Sequence, residues 1–187
     1  YLSGAAWTGG GRVYCIPNTD DTNAYAIGDP VASAGSADAA GIPTVTLATA
    51  GTGNAVRGVI LSAGGIVNGS YFADPTNLNT VVIPAVKSKD YYVLVCDDPM
   101  VIFEIKEVSG GTAFTATEVG LNANLVAGTN NGYLSGWEVN NSGETTTSTL
   151  QLRLLQLAPR MGNAFGEHAK WWVLINNHEL KAGVAGV

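Results

Sequence analysis

The amino-acid sequence predicts an all-β domain, a jelly-roll-like sandwich or barrel, and three observations carry that expectation. Short apolar runs recur along the chain, separated by Gly, Pro and Asn turn signals at intervals of roughly 8–14 residues. Several of those runs alternate with period two, the pattern of a half-buried strand. No stretch carries the apolar stripe of an amphipathic helix. With 187 residues and 46% hydrophobic content, the chain can bury a core without staples.

The organising stretch is Tyr91 to Val108, YYVLVCDDPMVIFEIKEV. Its first run, Tyr91 to Cys96, is apolar on both faces and suits a strand covered on both sides. In the second run Val101, Phe103 and Ile105 fall on one side, with Glu104 and Lys106 on the other. Asp97-Asp98-Pro99 removes a backbone donor and favours a turn, so the two runs read as strands meeting at a tight corner.

From the front, residues 1–11 (YLSGAAWTGGG) read as a short flexible arm ending in a glycine triplet, and 12–187 as one β domain. Leu2 and Trp7 are the arm's candidate anchors on a partner surface. Arg12 to Ile16 reads as the first strand. Tyr25 to Val31 is a short strand entering a turn, and the small residues 32–41 read as loop. Thr44 to Ala48 alternates as a strand, and Val56 to Ser62 follows after a glycine turn. Asn68-Gly69 signals a hairpin, with strand candidates at Tyr71-Phe72 and Thr80 to Ile83.

Beyond the corner, Thr112 to Thr117 alternates as a strand, and residues 120–131 are a loop rich in Asn and Gly. Asn131-Gly132 signals a second hairpin leading into Tyr133 to Val139. Thr149 to Leu157 (TLQLRLLQL) has helix-favouring residues on a period of two, and the period favours strand. Ala169 to Ile175 is the last long strand. Ten or more strands are expected in all.

Charge and composition exclude several classes. The net charge is −6, without a basic cluster beyond Lys87-Ser88-Lys89, so nucleic-acid binding is not expected. Apolar runs stay far short of the roughly 20 residues of a membrane span, and no signal-peptide pattern opens the chain. Only 13% of residues are charged, about half the usual share, which suits a surface partly covered by neighbours. Cys15 and Cys96 sit in apolar strand contexts; two buried free thiols and one bridge are both compatible with the sequence, the thiols preferred.

No catalytic, cofactor-binding or metal-ligating set is expected. Gly51 to Gly58 (GTGNAVRG) lacks the Lys-Ser/Thr of a phosphate loop and leads into a strand. Asn18 to Asp21 lacks the spacing and distal Glu of a calcium loop. His168 and His178 are flanked by glutamates but lack zinc-site spacing. Asp20/Asp21 and Asp97/Asp98 are neighbours within turns, unlike the separated carboxylates of a glycosidase. No nucleophile elbow is present. Tyr133, Trp137, Trp171 and Trp172 are the interface candidates. Of the adjacent Trp171 and Trp172, one is expected in the core and the other at an interface. The same aromatics carry an alternative reading, a surface-displayed carbohydrate-binding module.

Tyr25-Ala26-Ile27-Gly28-Asp29-Pro30-Val31, Val95-Cys96-Asp97-Asp98-Pro99 with Ile102 to Ile105, Leu152 to Leu155, Gly162-Asn163 and Trp172 to His178 follow one another in a characteristic order. Over residues 12–180 this order resembles the cement (decoration) proteins of short-tailed bacteriophage capsids. The resemblance implies a jelly-roll-like domain on the outer surface of the virion. It would lie across junctions of the major capsid protein and self-associate as a homodimer, without catalysis.

Overall fold

A computed structural model describes residues 10–65 and 82–187. The described residues are all-β, with no α-helix. Their strands are β1 (Arg12–Ile16), β2 (Tyr25–Ala26), β3 (Pro30–Ala37), β4 (Pro43–Leu47), β5 (Gly58–Gly65), β6 (Val82–Ile83), β7 (Tyr91–Cys96) and β8 (Ile102–Lys106). There follow β9 (Asn122–Ala123), β10 (Leu125–Val126), β11 (Glu138–Val139), β12 (Leu152–Leu157) and β13 (Lys170–Ile175). The expected arm anchors Leu2 and Trp7, and the hairpin at Asn68-Gly69, lie outside the described residues.

The first half closes into a five-stranded barrel in the order β1-β4-β3-β5-β7. Closure comes from β1, which pairs antiparallel with β7 and parallel with β4 through Cys15 and Thr44. Tyr14, Ile16, Val31, Val45, Ile60, Val93 and Val95 fill the interior. Period two explains the selection: Val93 and Val95 of β7 point inward together. The second half forms a four-stranded sheet, β8-β13-β12-β9. Phe103 and Ile105 of β8, Trp171, Val173 and Ile175 of β13, and Leu152 and Leu154 of β12 belong to a second core. Leu47 packs against both cores and joins the two layers.

The strands on either side of Asp97-Asp98-Pro99 do not pair. The turn moves the chain from the barrel into the other sheet, so β7 and β8 belong to different layers. Local expectations change in four places; residues 120–131, read as loop, hold the short strands β9 and β10, which pair with β12 and β11. Residues 32–37, read as loop, continue β3, and the register shift between Ser33 and Ala37 marks the irregularity that small residues allow. Thr112 to Thr117 does not form a strand. Thr115 and Glu118 make a reciprocal capping box that starts a 3-10 turn at Ala116–Glu118, and this local bonding overrides the weak alternation. Of Tyr133 to Val139, only Glu138–Val139 is strand. Thr149 to Leu157 resolves as strand, over Leu152–Leu157, because β13 and β9 flank it.

Candidate interaction surface

The segment between β10 and β11 makes a rigid projecting tip. Asn131 Oδ1 accepts the backbone N–H groups of Tyr133 at 3.0 Å and Leu134 at 2.8 Å. Asn130 Oδ1 accepts Gly132 N–H at 3.1 Å, and Asn131 N–H donates to Leu134 O at 3.1 Å. The sides of the tip approach so closely that a Cβ at Gly128 would lie 1.9 Å from Gly136 O. At its base Ser135 N–H donates to Ile27 O at 2.9 Å, which ties the tip to the chain entering the barrel. The result is that Tyr133 (64% exposed) and Leu134 (55%) are held out to solvent by bonds that fix the backbone beneath them. Trp137 sits below, 8% exposed, in the second core.

The two adjacent tryptophans divide as strand geometry requires. Trp171 is fully buried and donates its indole N–H to Glu107 Oε2 at 3.0 Å. Trp172 is half-buried, faces away from that core and lies across the ladder from Glu104. Trp137 and Trp171 therefore offer no ring face to solvent, and Tyr133 and Trp172 are the interface candidates that solvent reaches.

Several buried polar groups are already satisfied. Glu107 takes three donors: Phe114 N–H at 2.9 Å, Asn141 Nδ2 at 3.1 Å and the Trp171 indole. Gln151 accepts from Gly51 and Leu125 N–H and donates to Thr49 and Asn54 carbonyls. Lys87 donates to the Asp20, Asn23 and Ala85 carbonyls and lies over the Tyr25 ring, its pKa lowered by burial despite the nearby aspartates. These bonds hold loops in place.

A further polar cluster joins the barrel to the chain after β13. Tyr14 Oη donates to Asp97 Oδ2 at 2.8 Å and accepts from Arg57 Nε at 2.8 Å. Arg57 also lies 3.7 Å from Asp97 and 3.6 Å from Glu179, whose carboxylate takes both the backbone N–H and the hydroxyl of Ser33. Burial, then the bond to Asp97, pushes the Tyr14 phenol upward. His178 is buried beside this cluster, with Nδ1 accepting Leu180 N–H at 3.0 Å and Nε2 without a hydrogen-bond partner among the described residues. His168 is exposed in the loop before β13, at φ 63°. Among the described residues no group of three or more His, Cys, Asp or Glu is placed to hold a metal ion. Cys15 and Cys96 are buried free thiols, and burial raises Cys15 to about 11.

No family model, curated protein or solved structure matches the chain.

Sequence reasoning flagged Asn131-Gly132 and Tyr133 but passed over Leu134 and Glu107. A signal for Glu107 was available. Period two places it on the same side of the chain as Val101, Phe103 and Ile105, so the strand carries a carboxylate inward. Arg57, Asp97 and Glu179 are 40 and 82 residues apart along the chain (97 − 57 and 179 − 97), and no local pattern links them.

Proposed function

We propose that this chain is a structural virion protein. It acts as a cement or decoration protein on the outer surface of a bacteriophage head, lying across junctions of the major capsid protein and stabilising the shell. The observation that carries the reading is the preorganised tip with its two exposed side chains. Exposed Tyr and Leu on a backbone already fixed by Asn131 lose little freedom on docking, which is the physical condition for an interface anchor. A charge-poor, net acidic surface suits contact with protein neighbours outside the DNA-filled interior. The family resemblance over residues 12–180, with the jelly-roll-like relationship it implies, points the same way.

The mechanism is linkage. A protein that binds the assembled lattice and not free subunits stabilises assembly by mass action. Contacts to several subunits at once raise the effective concentration of each further contact. Self-association is isologous, as in most homodimers.

The test is co-sedimentation of the purified chain with phage heads lacking it. The double variant Tyr133→Ala/Leu134→Ala should lose at least tenfold in occupancy while keeping its thermal midpoint. Undiminished occupancy removes the tip from the interface, and failure of the unaltered chain to sediment with heads rejects the function.

A further inference from the structure

After β13 the chain turns back, and residues 183–187 lie in a slot beside β9. The hydrogen bonds there go to backbone atoms of the segment. Val184 N–H donates to Asn176 Oδ1 at 3.0 Å, and Val184 O accepts from Asn122 Nδ2 at 2.8 Å. Ala185 O accepts from the Arg153 guanidinium. Gly186 N–H donates to Thr146 O at 2.9 Å, and Val187 N–H donates to Gly120 O at 3.1 Å.

Two glycines three residues apart admit the segment. A Cβ at Gly183 would lie 2.0 Å from Ser148 O, and one at Gly186 would press on Gly120 O at 3.0 Å. The slot keeps its shape through bonds that do not involve its occupant. Asn122 Nδ2 also donates to Thr147 O at 3.0 Å, and Asn176 Nδ2 donates to Ser148 O at 2.9 Å and Leu150 O at 3.1 Å. Both asparagines are buried. A recess preorganised in this way takes an extended segment as a ligand, by its backbone. Val184 (51% exposed) and Val187 (89%) stay out in solvent, so leaving the slot uncovers little apolar surface.

We propose that residues 183–187 are an exchangeable peptide ligand, and that the slot of one copy takes this segment from a second copy of the chain. The bonds broken in one molecule are remade in the other, so exchange is governed by how close the copies are held. Residues 182–187 reach about 20 Å when extended, at roughly 3.3–3.6 Å per residue, so the donor is an immediate neighbour. Reciprocal exchange between two copies is two-fold symmetric. It uses neither the tip at Tyr133 and Leu134 nor any contact with a shell.

The experiment places Gly183→Val in the full chain, which keeps the slot and expels its own segment. A fluorescently labelled peptide of residues 181–187 should bind this variant saturably at one site. It should bind the unaltered chain, whose slot is filled, at least tenfold more weakly. The same peptide carrying Gly186→Val should not bind, and Arg153→Met in the Gly183→Val chain should weaken the peptide several-fold. In sedimentation velocity the unaltered chain should associate as its concentration rises, and Gly183→Val, which cannot donate, should not. Gly186→Val replaces Gly183→Val in the chain if the latter does not fold. Loss of folding in both shows the segment to be part of the core and overturns the proposal. So does absence of peptide binding to the opened slot, or equal binding to the filled one. An unaltered chain that stays monomeric at millimolar concentration, or a Gly183→Val chain that associates equally, rejects the second copy as donor and overturns it too.

Discussion

Glu107 Oε2 accepts the indole N–H of Trp171 at 3.0 Å, and both residues are fully buried. The carboxylate also fixes the backbone at Phe114 and the side chain of Asn141. One inward-facing acid thus ties the end of β8 to the middle of the second core and to two loops. Phe114 completes the arrangement by meeting Trp171 edge to face, with ring centroids 5.4 Å apart.

Removing that acid strands three donors. Glu107→Ala should destabilise by about 3–5 kcal/mol, since each buried unsatisfied group costs about 1–3 kcal/mol. Glu107→Gln should cost less in chemical denaturation, because an amide oxygen can still serve Phe114 and Asn141. In the cycle with Trp171→Phe, a coupling energy of about 0.5–3 kcal/mol is expected. Additive losses would show that the indole bond contributes nothing.

The tip's rigidity can be separated from its contacts. Asn131→Ala removes the acceptor beneath Tyr133 and Leu134 without removing either exposed side chain. Occupancy on phage heads should fall several-fold while global stability changes by less than about 1 kcal/mol. Equal occupancy would mean that the tip needs no preorganisation.

Arg57 holds together groups from β1, from the corner after β7 and from the chain after β13. Arg57→Met should destabilise by about 2–4 kcal/mol, because Asp97 and Glu179 lose their shared cation while staying largely buried. Arg57→Lys should recover little, as an ammonium lacks the fork that reaches Tyr14 and both carboxylates. Urea midpoints of the two variants measure the difference.

His178 sets a pH dependence whose sign follows from its surroundings. Burial lowers its pKa from the ordinary 6.5, Lys181 and Arg57 lower it further, and Asp97 and Glu179 oppose them. The unfolded chain therefore binds this proton more readily than the folded one. The stabilisation is complete above about pH 6.5 and is lost as pH falls through that value toward the lower folded pKa. Thermal midpoints measured from pH 8 to 5 should drop more for the unaltered chain than for His178→Phe. Parallel curves would mean that the ring gains a proton partner in the folded state.

Much of the fold was legible because strand periodicity is local. β1 and β7 match their expected bounds, and β12 was identified against its helix-favouring composition, since Leu150, Leu152 and Leu154 alternate with Gln151 and Arg153. The capping box at Thr115 was written in the sequence too, as Thr-x-x-Glu, but a short alternation masked it. The aromatic pair at 171–172 divided between core and surface because adjacent strand residues must face opposite ways.

The sequence by itself determined an all-β chain, the positions of its main strands and a charge-poor surface, because each depends on residues within a few places of one another. Only the tertiary structure decided that β7 and β8 part into different layers, that β1 closes a barrel through β4, and that Arg57 meets Asp97 and Glu179. It also decided that a chamber is left between the layers. Those outcomes depend on which distant strands pair and how two curved surfaces meet, and backbone hydrogen bonds are the same for every pairing.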